Sequence, residues 1–88
     1  MPWNKYFDAV NAEFPPIQIN WDKCYKSVAY TRSVLKKCST RARALRDRYL
    51  AEPKGSRMKR ALRAFWLSAD HDCDSLATVL GWGVRGVP

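Results

Sequence analysis

WDKCYKSVAYTRSVLKKCSTRARALRDRY (21–49) decides the fold, because apolar or small residues return along it at spacings of three and four without a slip. Trp21, Cys24, Val28, Thr31, Leu35, Cys38, Ala42, Leu45 and Tyr49 form this seam, and such a repeat marks a helix with one side buried. Asn20 is suited to cap its start, and Asp22 stands in the first turn, where the helix dipole favours an anion. The pattern predicts a helix over 22–51, about 45 Å long if unbroken. Ser39-Thr40 offers hydroxyls fit to cap a fresh start, but no proline or glycine forces a break there, so one continuous helix is the favoured reading.

Upstream, Trp3, Phe7, Val10 and Phe14 form a helical stripe that Pro15 and Pro16 must stop, which predicts a short helix over 3–13. Downstream, EPKGS (52–56) reads as a turn, and Ser56 is placed to cap a third helix. That helix opens with SRMKRALRAFW (56–66), in which Met58, Ala61, Leu62, Phe65, Trp66 and Ala69 share an apolar arc while Arg57, Lys59, Arg60 and Arg63 fill the other half. DHDCD (70–74) reads as an acidic loop whose Asp74 caps a short fourth helix over 75–80, with Gly81 closing it and an irregular apolar tail after it. The expected fold is all-α and a single domain over 1–88: a small helical bundle or hairpin built on one long, or broken, helix. Its expected core is Phe7, Val10, Phe14, Trp21, Val28, Leu35, Leu45, Met58, Leu62, Phe65 and Leu80. Such short partners leave part of the seam uncovered, where a second copy of the chain could pair.

Composition narrows the function. At 88 residues and 47% hydrophobic content the chain is too apolar for a disordered basic tail. Catalysis is not expected, because His71 is the only histidine and no set of polar groups converges on it. No cofactor motif is present, and DHDCD lacks the second ligand pair of a zinc site, so neither cofactor nor metal is expected. Cys24, Cys38 and Cys73 are odd in number and unmatched in spacing, which fits a reducing, intracellular and cytoplasmic setting rather than a disulfide framework. No run is apolar enough to cross a bilayer, and MPWNKYFDAV (1–10) lacks the basic-then-apolar order of a signal peptide. DSLATVLGW (74–82) resembles the second helix and turn of helix-turn-helix proteins at Leu76, Ala77, Leu80 and Gly81. It covers nine residues, and the WGVRGVP that follows has glycines and a proline where a recognition helix would stand, so it assigns no family.

Charge carries the remaining signal. The net charge of +8 divides into −1 over residues 1–20, +11 over 21–68 and −2 over 69–88. Lys23, Lys26, Lys37, Arg41 and Arg48 follow their own stripe opposite the seam with Tyr30 in line, and Arg43 and Arg46 widen it. Few acids compensate them, so the face suits an acidic protein surface or phosphates. The leading expectation is a small non-enzymatic protein that docks on a larger protein assembly as accessory subunit, adaptor or phage-type inhibitor. Trp3, Tyr49 and Trp82 would be its aromatic anchors, and its cations would meet an acidic face. The alternative is a nucleic-acid-binding protein or ribonucleoprotein subunit. There Lys37, Arg41, Arg43, Arg46, Arg48, Arg57, Lys59, Arg60 and Arg63 contact phosphates.

Overall fold

The computed structural model describes residues 4–85 and contains four helices: α1 (Asn4–Glu13), α2 (Trp21–Lys26), α3 (Val28–Ala51) and α4 (Arg57–Arg85). No strand occurs among the described residues. α3 and α4 pack along each other as an antiparallel hairpin, α1 lies on α4, and α2 touches both long helices. The molecule is a rod of 45 × 22 × 18 Å with a radius of gyration of 15.0 Å, against about 12 Å for a compact chain of this length. Its long axis is set by α4, whose 29 residues span about 43 Å at the helical rise.

The all-α fold, the short first helix, the Asn20 cap and the turn at 52–56 are as the sequence predicts. Asn20 Oδ1 accepts from the Lys23 amide at 3.1 Å. Gly55 takes the left-handed φ of +86° that an L side chain resists, and the Ser56 hydroxyl accepts from the Lys59 amide at 3.3 Å to start α4.

The long second helix is broken, and the break falls at Ser27 rather than at Ser39-Thr40. Ser27 is extended (φ −139°, ψ 110°), ends α2 by donating its amide to Lys23 O, and begins α3 by accepting from the Tyr30 amide on its hydroxyl. Thr31 secures the corner, with its Oγ1 within 2.8 Å of Cys24 O and 2.9 Å of Ser27 O. Thr40, by contrast, bonds back to Lys36 O at 3.0 Å and leaves the helix running.

The acidic stretch 70–74 is not a loop. α4 passes through it and through Gly81 to Arg85, so the expected third and fourth helices are one. The apolar arc explains why: Ala69, Cys73, Leu76 and Leu80 continue it at spacings of four, three and four, and no proline or glycine interrupts before Gly81. Asp74 caps nothing; its carbonyl accepts from Thr78 Oγ1 at 2.9 Å inside the helix. The helix-turn-helix resemblance lacks its turn for the same reason. Residues 86–88 of the expected tail lie outside the described residues.

A doubled α4 also covers the seam. Cys24, Thr31, Cys38, Ala42 and Leu45 are buried, and among the seam residues only Trp21, at the start, is exposed. Of the expected core, Val10, Leu45 and Leu62 are fully buried. Phe14, Val28, Leu35, Met58, Phe65 and Leu80 are half-buried. Phe7 and Trp21 are exposed at 39% and 37%: Phe7 sits edge-on to Phe65 at the rim of α1, and Trp21 lies ahead of the bend. Val34, Leu76 and Val79, outside the expected core, are buried with Cys24 and Cys38, while Ala61 and Ala69 join Val10, Leu45 and Leu62. Leu62→Ala is expected to cost about 2–5 kcal/mol as a buried large-to-small change, and Trp21→Ala less than about 1 kcal/mol as a surface change. Urea denaturation of the two variants measures the contrast.

Candidate nucleic-acid interface

The turn between α3 and α4 gathers charge because it is tight. Lys54, Lys59, Arg60 and Arg63 surround a concavity of about 300 Å³ that is completed by Tyr49, Gly55 and Ser56. The positive end of the α4 dipole adds to their field. Lys59 Nζ donates to Glu52 O at 3.2 Å and stands 4.4 Å above the Tyr49 ring, so it is held in place. A second concavity of about 230 Å³ is lined by Ser39, Ala42, Arg43, Arg46, Trp66, Asp70 and Cys73.

The two hollows follow one groove. Along α3 their lining residues are Ser39, Ala42, Arg43, Arg46 and Tyr49, and along α4 they are Lys59, Arg60, Arg63, Trp66, Asp70 and Cys73. Steps of three and four keep residues on one helix face. Tyr49 and Trp66, from opposite walls, meet between the hollows with ring centroids 5.5 Å apart. Six cations line the groove and one carboxylate, Asp70, does. The 3.9 Å contact of Arg46 with Asp47 is exposed and does little to neutralise it.

Other candidate residues lie outside the groove. Arg41 turns the opposite way and donates to Pro15 O and Phe14 O, both at 3.1 Å, which ties the end of α1 and the proline segment to α3. Arg48 joins Glu13 at 3.2 Å and Glu52 at 2.9 Å, and the Glu52 bond, then Glu13, push its guanidinium pKa further up. Tyr30 accepts the Asn20 amide on its hydroxyl at 3.0 Å beneath Lys23 Nζ, 4.9 Å from the ring centroid. Lys37 is exposed one turn before Arg41, away from the groove, and Arg57 is exposed at the head of α4. Trp82 stacks on Tyr25 (6.3 Å, 15°) at the far end of the rod, and Trp3 lies outside the described residues.

The groove thus unites Arg43, Arg46, Tyr49, Lys59, Arg60 and Arg63 from the sequence candidates and adds Lys54 and Trp66. The apolar arc alone places Trp66 in the core, yet its position three residues after Arg63 is the signal that it borders the basic face. Lys54 sits in the turn, where periodicity is silent.

The thiols are poor nucleophiles. Burial, then the neighbouring Cys73 and Asp72, pushes the Cys38 pKa above its ordinary value against a smaller opposing effect of Arg41. Burial and the aspartates of α4 do the same to Cys73, against the Ser39 contact at 3.9 Å. Among the described residues no group of three or more His, Cys, Asp or Glu is placed to hold a metal ion. No described helix is long and apolar enough to cross a membrane. Compared with known protein families, curated proteins and solved structures, the chain matches none.

Two outcomes follow from this geometry. Arg41→Gln is expected to lower stability by about 1.5–3 kcal/mol, the range for hydrogen bonds to a charged group, while leaving polyanion binding unchanged; Arg43→Gln should do the reverse, as read by denaturation and binding side by side. Because the folded thiol pKa values lie above the unfolded ones, the stability they contribute is full below about pH 8.5 and is lost as pH rises through the raised values. The melting temperature of the parent should therefore fall more between pH 8.5 and 10.5 than that of a Cys38→Ala, Cys73→Ala double variant.

Proposed function

We propose that this chain is a non-enzymatic nucleic-acid-binding protein that holds a phosphate backbone in the groove between α3 and α4. The observation that carries the reading is the gathering of Arg43, Arg46, Lys54, Lys59, Arg60 and Arg63 around the Tyr49–Trp66 ring pair. Cations interleaved with aromatic rings are what phosphate contact and base stacking require. A protein-docking anchor protrudes to fill a partner's pocket; here both rings are half-buried against the core, with cations on either side of them.

A second contact, with protein, is favoured by a separate observation. Trp21, Tyr25 and Trp82 are 37%, 43% and 40% exposed, and Tyr25 and Trp82 are stacked. From Arg60 to Trp82 is about 33 Å along α4, so an accessory subunit of a ribonucleoprotein assembly could use both ends at once. Co-purification that survives nuclease and is lost in Trp82→Ala supports this second contact.

Replacing Arg43, Arg60 and Arg63 by Gln keeps helix length and side-chain size while removing three charges. The triple variant should fold as the parent does, bind a nucleic acid more weakly, and show a log-affinity against log-salt slope shallower by up to about 2 to 3 units. Unchanged affinity and slope in a salt titration would return these cations to the status of a solvated face.

A further inference from the structure

Resting on that reading, we infer that the groove takes single-stranded rather than duplex nucleic acid, with an unpaired base stacked against Trp66 beside the Lys59-covered Tyr49 ring. The half-buried rings point there first. Tyr49 and Trp66 meet at 5.5 Å between two hollows that carry cations on both sides, and a strand with unpaired bases can turn a base face toward a ring while its phosphates meet the cations. A duplex reads protein by receiving a protruding helix into a major groove about 12 Å wide. Laid across these two walls it would offer phosphates to the rims and bring no base to the recessed rings.

The order of groups along the groove fits the same ligand. Lys54, Lys59, Arg60 and Arg63 stand on the turn side of the rings and Arg43 and Arg46 on the other, so a strand with phosphates on both sides of a stacked base meets cations at each. The track is finite: Asp70 lines its far end, and Asp74 follows one turn further along α4. From Arg60 to Asp70 is about 15 Å, enough for a short segment of strand. No Asn or Gln lines either hollow, and amide side chains together with arginines aimed at base edges are what sequence readout uses. Binding is therefore tolerant of sequence, as stacking on a ring is.

The test uses the full chain with fluorescein-labelled 15-mers of dT and rU, a 15-base-pair duplex and inorganic polyphosphate, all at one low salt concentration. Both single strands should bind about tenfold tighter than the duplex, and they, but not polyphosphate, should quench tryptophan emission. Trp66→Leu, which keeps an apolar side chain at the site, should weaken single-strand binding about tenfold and leave polyphosphate binding unchanged. Photo-crosslinking of a 5-bromouracil 15-mer to the unaltered chain gives the same answer without a variant: the adduct should map to Trp66 or Tyr49. Duplex binding as tight as single-strand binding, or adducts that avoid both rings, overturns this inference and leaves the broader reading standing. Binding to neither form of nucleic acid overturns both.

Discussion

Everything in this molecule depends on the contact between α3 and α4. Leu45 and Leu62 are sealed within it, and Ala42, Ala61 and Ala69 let the two helices approach along their length. Neither helix has much independent reason to persist in water, since most helical stability in proteins comes from packing an amphipathic face. Each supplies the other's buried side. α1 and α2 then finish the job at different levels: Val10 seals the half near the turn, and Cys24, with Leu76 and Val79, seals the half away from it.

This pairing also decides which cations are available. Arg41 and Arg48 lie on the side of α3 that α1 approaches, and they serve its C-terminal end: Arg41 takes carbonyls that the proline segment leaves without amide partners, and Arg48 pairs with Glu13. Arg43 and Arg46 lie on the other side and face α4 across an open groove. Two residues along a helix make the difference between a structural strut and a cation that lines the groove, because they rotate the side chain by about 200°.

The charge gradient along α4 has the same kind of origin. Its first turns are basic and its middle is acidic, on one continuous helix. The field is therefore positive at the turn end and falls away toward the middle.

The sequence by itself determined the elements that local chemistry controls. The seam's 3–4 spacing, the Pro15-Pro16 stop, the Asn20 and Ser56 caps and the Gly55 turn each act through their near neighbours, and each is where the residues place it. Two boundaries misled. DHDCD carries loop-like polarity, yet its four polar side chains on the outside of a helix cost little when Ala69, Cys73 and Leu76 have a core to enter, and only the tertiary structure supplies that core. Ser27 looks like an ordinary polar position, and it becomes a corner because Cys24 of α2 can then reach the same cluster as Leu76 and Val79 of α4. The basic face was legible as a surplus of charge, but its division into struts and groove was not. A helical wheel says which side a cation occupies, whereas what stands opposite that side is decided by how the chain folds back on itself.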